Sequence, residues 1–313
     1  MVVTGDVGPS AFASIQLGGF APYTFIGDGA ANTIVGVTYR VHRFEYVPGA
    51  NNSITFSQGG NIDLLMAAGG GPGGGNYSSS AYSGGGGGAG GLVLMYSYGV
   101  TATTYSLSVG KGGYDTTNPA LGNYYYINDA TNASNSTFGA LTAIRGGAGA
   151  PGYSATTPQT GGSGGGAASG PSTSGAYQGA IGTTGQGFSG GSTATIGRDQ
   201  PPYCGGGGGS CLENGGTPTV AFGGTAHKGG DGISLKFDGT IRGYCAGGGG
   251  GTYSTSYPVA PGGANGGGTG SVLANGGKGT SFGSGGGGAG GPNSNAYGGG
   301  GMDGVIIIRY ALG

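Results

Sequence analysis

The sequence predicts an all-β and irregular fold with almost no α-helix. We expect an N-terminal β region, followed by a bundle of glycine-rich polyglycine-II helices with short strands. Glycine supplies 88 of the 313 residues, and proline adds 14. Near the N-terminus, β-branched and aromatic residues alternate with polar ones, as they do in half-buried strands. No segment has apolar residues recurring every 3.6 positions, which an amphipathic helix would require.

The N-terminal β region is predicted to span residues 1–58 and to serve attachment or oligomerisation. Residues 35–47 (VGVTYRVHRFEYV) alternate apolar and polar side chains and predict a strand. The turn-forming run from Pro48 to Asn52 follows. Residues 54–56 then predict the returning strand of a hairpin.

The glycine-rich body is predicted to span residues 59–304, and a closing β-strand residues 305–313. Short strand-like pieces separate the glycine runs of the body, at residues 64–68, 92–95, 105–109 and 233–237. The closing segment VIIIRY is the most apolar β-branched run in the chain, so it predicts a buried strand.

The glycine runs predict ordered rods because the rest of the composition does not favour disorder. Charged residues make up only 7% of the chain and aromatic residues 10%, whereas disordered chains have few aromatics and more charge. A polyproline-II helix has three residues per turn and no internal hydrogen bonds, so its peptide groups point outward. Without side chains in the way, neighbouring glycine rods can pair these groups laterally.

The charge and the ends of the chain limit the partners that we expect. The net charge is −1 and the charges are scattered singly, which disfavours nucleic acid. The first residues, MVVTGDVGPSAF, lack the features of a signal peptide, and no apolar run is long enough for membrane insertion. We therefore expect a protein that is made in the cytosol and acts outside the producing cell without secretion, unless the sequence is that of an already processed form.

The residues that could carry chemistry do not form a recognisable catalytic or cofactor site. His42 lies in a predicted strand, and His227 occupies a place where a similar segment has Ile144. We expect no enzyme, no cofactor and no metal. Tyr203-Cys204 and Tyr244-Cys245 both precede glycine runs, so Cys204 and Cys245 are interpreted as equivalent small buried residues. A disulfide joining Cys204 to Cys211 or to Cys245 stays open as an alternative.

Tyrosine-rich segments are the candidate binding loops. They mix Tyr with Ser, Thr and Asn, a combination that antibody binding sites favour because Tyr gives rigid contact area and small polar residues adapt. The same tyrosines could instead cap the ends of the glycine rods. The candidate receptor-facing residues are Tyr77, Tyr82, Tyr114, Tyr124, Tyr125, Tyr126, Tyr153, Tyr177, Tyr253, Tyr257 and Tyr297.

Several segments, in their order along the chain, resemble phage glycine-rich domains. They include YRVHRF at residues 39–44, IDLLMAA before the first glycine run, YSLSVGKGG at 105–113, and the closing DGVIIIRY. Such domains occur in virion fibre proteins, and the plan is similar to that of the tip adhesins of T-even-like long tail fibres. In those adhesins, polyglycine-II helices form a sandwich and the loops between them contact the receptor.

The resemblance implies a bacteriophage virion structural protein, a fibre or adhesin component that presents loops to a host surface. Its expected partners are other virion proteins, copies of itself, and a host surface glycan or outer-membrane protein. A capsid decoration or head-fibre protein with a purely architectural role is the alternative. An extracellular filament subunit and an ice-binding protein are further alternatives, and the irregular glycine spacing disfavours the last.

Overall fold

The fold is known from a computed structural model. It describes residues 14–18, 25–34, 37–76, 82–113, 133–152, 157–169, 177–193, 204–218, 227–253, 258–291 and 296–311, with the backbone alone before residue 39. The strands are β1 (Ser14–Gly18), β2 (Phe25–Ile34), β3 (Val37–Glu45), β4 (Asn51–Thr55), β5 (Gly60–Ala67), β6 (Leu92–Val100), β7 (Thr104–Ser108), β8 (Ser136–Phe138), β9 (Leu141–Ala143), β10 (Ile233–Leu235), β11 (Arg242–Tyr244) and β12 (Val305–Ala311). Over these residues there is no α-helix, so the predicted fold class is confirmed.

The strands form two five-stranded antiparallel sheets and one hairpin. The inner sheet has the order β2-β3-β12-β5-β6, and the outer sheet has the order β1-β4-β7-β8-β9. The hairpin pairs β10 with β11. The chain's last strand, β12, lies between β3 and β5 in the middle of the inner sheet, so it joins segments from opposite ends of the sequence.

The hydrophobic core has two layers because the inner sheet is covered on both faces. Leu64, Met66, Ile306 and Ile308 pack against the outer sheet in a cluster with Phe138. Their neighbours along the same strands face the other way, as strand geometry requires. Leu65, Ala67, Val305 and Ile307 pack in a second cluster with Phe237 and Tyr244, which lie at the hairpin. Burial on both faces explains why β12 is a continuous apolar run.

Five predicted strands are confirmed as β5, β6, β7, β10 and β12. They were predicted at residues 64–68, 92–95, 105–109, 233–237 and 305–310. The predicted pairing of residues 35–47 with residues 54–56 is wrong. β4 pairs with β1 and β7 in the outer sheet, whereas β3 pairs with β2 and β12 in the inner one. The turn after β3, closed by a hydrogen bond from Ala50 N to Val47 O, carries the chain from one sheet to the other. The domain boundary after residue 58 stays a prediction.

The glycine runs form rods with a three-residue hydrogen-bond repeat. The central rod, residues 84–91, donates every third N–H to the same neighbour, at 2.7–3.0 Å. One neighbour, residues 283–289, accepts from residues 84, 87 and 90. A second, residues 144–150, accepts from residues 85, 88 and 91. The third, residues 206–209, accepts from residues 86 and 89. A repeat of three matches the three residues per turn of a polyproline-II helix.

The central rod also accepts hydrogen bonds from three further segments, so six segments surround it. Its carbonyl groups accept from residues 68–74, from 163 and 166, and from 248 and 251. No glycine in this rod has a φ in the left-handed region, as the polyproline-II conformation requires. Peptide groups thus bind the rod to neighbours on all sides, which satisfies buried backbone that has no side chains to cover it.

The rods need glycine because of how closely they approach, rather than because of an unusual φ. A Cβ atom added to Gly84, Gly86 or Gly87 would lie 2.0, 2.1 or 2.2 Å from a carbonyl oxygen of a neighbouring rod. Most positions in the interior of the bundle therefore carry no side chain, and some carry a small one, such as Ala89 and Ala289. Larger side chains lie mainly at its two ends, where the chain enters strands or forms connections.

Candidate functional site

The bundle has a sheet end and a loop end. At the sheet end, rods continue directly into strands: residue 68 follows β5, residue 91 precedes β6, residue 245 follows β11 and residue 304 precedes β12. We call the opposite end the loop end. It is marked by isolated bridges that join Asn76 to Gly152 and Ala296, and Thr252 to Cys204 and Val272.

Asn76 ties four segments together at the loop end. Its backbone pairs with Ala296, and Gly152 N donates to Gly75 O beside it at 2.9 Å. Its side-chain Nδ2 donates to Tyr82 O at 3.0 Å and also to Gly291 O. The residue is 1% exposed. A buried amide with these bonds fixes the ends of the rods that flank it.

Serine and threonine side chains make further ties at this end. Ser83 N donates to Ser169 Oγ at 2.7 Å, and Ser169 N donates back to Ser83 O at 3.0 Å. Gly290 N donates to Ser271 Oγ at 3.0 Å, while Thr252 N donates to Ser271 O at 2.8 Å. Short hydroxyl side chains bond to backbone here because the regular three-residue ladder ends.

A third tie joins Tyr177 to Thr193. Tyr177 N donates to Thr193 Oγ1 at 2.9 Å, and Thr193 N donates to Tyr177 O at 2.8 Å. The two residues bracket a pair of rods that return to the sheet end at Gly182 and Gly187. Local hydrogen bonds of side chains therefore connect neighbouring rod ends at the loop end.

Four of the predicted receptor-facing tyrosines lie within the described residues, and all four are at the loop end. Tyr297 is 38% exposed, and its N–H donates to Asn275 Oδ1 at 2.8 Å. Tyr82, Tyr177 and Tyr253 are half-buried. They follow or precede the rod ends at Ser83, Thr193 and Thr252 that were described above.

The other seven candidates lie outside the described residues and stay predictions. For Tyr77, Tyr153 and Tyr257, the flanking described residues are at the loop end. For Tyr114, Tyr124, Tyr125 and Tyr126, the flanking residues lie nearer the sheet end, because Gly113 N donates to Gly70 O and Gly69 N donates to Ser134 O. The described residues that flank these candidates thus lie at the loop end for three of them and nearer the sheet end for the other four.

The ion pairs of the described residues do not involve the loop-end residues named above. Arg43 and Arg242 both bind Asp238, at 2.8 and 2.7 Å, and fix the β10–β11 hairpin to β3. Burial alone would raise the pKa of Asp238, but the hydrogen bonds from Arg242 and Arg43 outweigh it and hold the pKa below its usual value. Lys228 pairs with Asp231 and Glu213. None of the loop-end residues named above carries a charge.

Arg309 forms a buried connection at the sheet end. Its Nε binds Asp63 Oδ2 at 3.1 Å, and its guanidinium lies between the rings of Tyr39 and Phe237, at 4.6 and 4.2 Å. Asp63 Oδ1 also accepts from Ser97 N at 3.1 Å. One side chain therefore joins β12, β5, β6 and the hairpin.

The two histidines are part of the packing. His42 Nε2 lies 3.5 Å from the Tyr310 hydroxyl, and the two rings stack. His227 is 2% exposed, and burial lowers its pKa to about 4. In the described part of the chain, no group of three or more His, Cys, Asp and Glu side chains could hold a metal ion.

Cys204 and Cys245 are both buried, as predicted, but they do not occupy equivalent places. Residues 204–211 run from the loop end to the sheet end, whereas residues 245–251 run in the opposite direction. Gly205, Gly208 and Cys211 donate to residues 251, 248 and 245. Cys204 and Cys245 are therefore not equivalent, and the predicted alternative pairings of Cys204 are wrong. Seven residues at 3.1 Å each separate Cys204 from Cys211 by roughly 20 Å, and all three thiols are free.

A groove on the side of the bundle was not predicted. It has a volume of about 580 Å³ and is lined by the apolar residues Leu92, Leu94, Phe188 and Cys211 and by polar residues that include Gln186 and Asn214. Phe188 is 45% exposed. No sequence pattern predicts this groove, because its walls come from β6 and from two short turns that are far apart along the chain.

The comparison with known protein families agrees with this architecture. The model of the glycine-rich domain family matches residues 47–311, so the chain belongs to that family. No curated protein matches the chain. Among the described residues there is no helix with the length and apolar character needed to span a membrane.

Proposed function

We propose that this chain is a non-enzymatic bacteriophage virion protein, a fibre or adhesin component whose loop end contacts a host surface. One observation carries the proposal. Segments rich in Tyr, Ser and Asn are flanked by rod ends that lie together at the end of the bundle opposite the sheets, as the bridges at Asn76 and Thr252 place them.

The bundle is suited to holding such loops. Its rods are bonded to neighbours in several directions, so their ends have fixed positions. Binding loops are commonly mounted on rigid scaffolds in this way. A scaffold that is ordered before binding also lowers the entropic cost of forming a complex. The sheet end, where β12 closes the inner sheet, is then the side that would attach to other virion proteins or to copies of this chain.

The chemistry of the described loop end favours a glycan or an uncharged protein surface. Tyr297 offers an amphipathic ring, and the exposed Asn275 offers a small polar group beside it. Because charged side chains are scarce, the affinity should come from apolar contact and hydrogen bonds. Such binding depends little on ionic strength.

Binding of the labelled chain to intact Gram-negative cells from a panel of strains tests the proposal. We expect binding to at least one strain, with less than about a threefold change in affinity between about 50 and about 300 mM salt. The variants Tyr253→Ser and Tyr297→Ser should each weaken binding by about tenfold, the loss that is typical of one buried interface aromatic.

Tyr96→Ser is the matched control, since Tyr96 is 54% exposed but lies on β6 at the sheet end. An equal loss of binding in this control, or no binding to any strain, would contradict the proposal. Immunogold label on the capsid shell, without binding to cells, would instead favour the architectural role of a decoration or head-fibre protein.

A further inference from the structure

The antiparallel course of two rods brings Cys211 next to Cys245. Cys211 N donates to Cys245 O at 3.1 Å. Both side chains belong to the same buried cluster, and hydrogen bonding between them shifts the pKa of each. The Cys211 sulfur lies 3.7 Å from Tyr244 O as well. Two free thiols are therefore neighbours on two rods that backbone hydrogen bonds hold in register.

The two thiols differ in access. Cys211 is half-buried and forms part of the wall of the groove that Leu92 and Phe188 also line. Cys245 is 0% exposed and lies behind it in the core, next to Leu65 and Ile307. The third thiol, Cys204, is buried at the loop end and is far from both.

We propose that Cys211 and Cys245 form a thiol oxidation site that reacts with small disulfides entering the groove. The Cys211 thiolate attacks one sulfur of the small disulfide, forms a mixed disulfide, and releases the first thiolate. Cys245 then loses its proton to solvent or to the released thiolate and attacks the Cys211 sulfur. The second thiol leaves, so two protein thiols and one disulfide become one protein disulfide and two small thiols.

The electrostatics of the pair match these two roles. The hydrogen bond from Cys245 lowers the pKa of Cys211, although burial opposes the effect. The same bond and complete burial raise the pKa of Cys245 well above its usual value. A more acidic, accessible thiol is the one that attacks first. Burial alone raises the pKa of Cys204 to about 12, so this third thiol should be inert.

The disulfide would join the turn at residues 211–213 to the residue that follows β11. Its loop contains the whole β10–β11 hairpin, whose side chains cover one face of the inner sheet. Closing such a loop restricts the unfolded chain, which stabilises the fold. We therefore expect a higher melting temperature for the oxidised protein, by several degrees.

Titration of the native protein with 4,4′-dithiodipyridine tests the site. The account predicts about two released thiopyridone molecules per chain, no retained adduct, and a protein mass about 2 Da below that of the reduced form. A lasting adduct on the wild-type chain, or no release before unfolding, would overturn it.

Variants show which sulfur attacks the small disulfide and which one then resolves the mixed disulfide. Cys245→Ala should retain one thiopyridyl group on Cys211, and Cys211→Ser should not react while folded. Cys204→Ala is the control, and its reaction should match that of the wild type. It also simplifies the peptide map, because trypsin leaves Cys204 and Cys211 on one peptide. A crosslink to Cys204, or equal reaction of Cys211→Ser, would contradict the assignment.

Discussion

Asn76 and Ala296 exchange backbone hydrogen bonds in both directions, at 2.8 Å from Asn76 N and 3.2 Å from Ala296 N. The pair joins the first glycine rod to the last one at the loop end. Since β12 follows the last rod and lies beside β5 in the inner sheet, these two segments are held together at both ends of the bundle. The position of the loop end thus depends on contacts between two segments that are far apart in the sequence.

The Asn76 side chain should contribute strongly to stability. Asn76→Ala removes the donor to Tyr82 O and Gly291 O. The two lost hydrogen bonds together cost about 1–3 kcal/mol. We expect urea denaturation to show a loss in that range. Asn275→Ala is the control, because Asn275 is exposed and water can replace its bond to Tyr297. Equal losses in both variants would contradict the role given to Asn76.

Glycine in the central rod should not tolerate even a methyl group. In Gly87→Ala the new Cβ would lie 2.2 Å from Gly71 O and 2.7 Å from Pro72 C. Because backbone and not a flexible side chain must move, the cost should exceed about 3 kcal/mol. Gly99→Ala in β6 is the control, since the nearest atom to its Cβ is Asn61 Oδ1 at 3.8 Å. Thermal unfolding of the two variants side by side checks the contrast, and a stable Gly87→Ala protein would refute close packing of the rods.

His227 should make the fold less stable in acid. Its pKa is lowered to about 4 in the folded protein because the residue is buried, whereas an unfolded His titrates near 6.5. Between these values the unfolded chain binds more protons, so the free energy of unfolding falls as the pH drops from about 6.5 to about 4, by roughly 3 kcal/mol. Above that window the contribution is fully present. His227→Gln should flatten the curve, and an unchanged slope in this variant would exclude His227 as its source.

The buried ion pair of Arg309 with Asp63 should show strong coupling. Arg309→Met leaves the carboxylate of Asp63 buried without its cation, which costs about 3–5 kcal/mol. Adding Asp63→Asn removes that charge, so the double variant should be more stable than Arg309→Met alone. A double-mutant cycle in urea measures the difference. Additive losses would indicate that the pair contributes nothing beyond two independent contacts.

Much of the sheet architecture could be predicted from local pattern. β5 and β12 are apolar on both faces and are evident as buried strands. The three-residue strands β8, β9 and β11 were not predicted, because so few residues give little pattern. The equally short β10 was predicted because apolar residues alternate from Ile233 to Phe237. The pairing of β4 was predicted wrongly because its partners, β1 and β7, are chosen by the core between the sheets and not by the turn that precedes it.

The three-residue repeat of the rods could also be predicted, but their direction could not. Glycine carries no side chain that distinguishes the two senses of a rod, so the blocks after Cys204 and Cys245 look alike and yet run antiparallel. The elements before each rod decide its direction. For the same reason the contact of Cys211 with Cys245, and the tie made by Asn76, emerge only from the fold.

Hydrogen–deuterium exchange of the amides of residues 84–91 tests whether the glycine runs are ordered rods held by hydrogen bonds to their neighbours. Each of these N–H groups donates to a neighbouring rod inside the bundle. We expect these amides to be protected as well as those of β12. Both segments are buried and hydrogen-bonded, and exchange of such amides requires opening of the core. Exchange of the central rod at the rate of an unstructured glycine peptide, while β12 stays protected, would contradict this expectation.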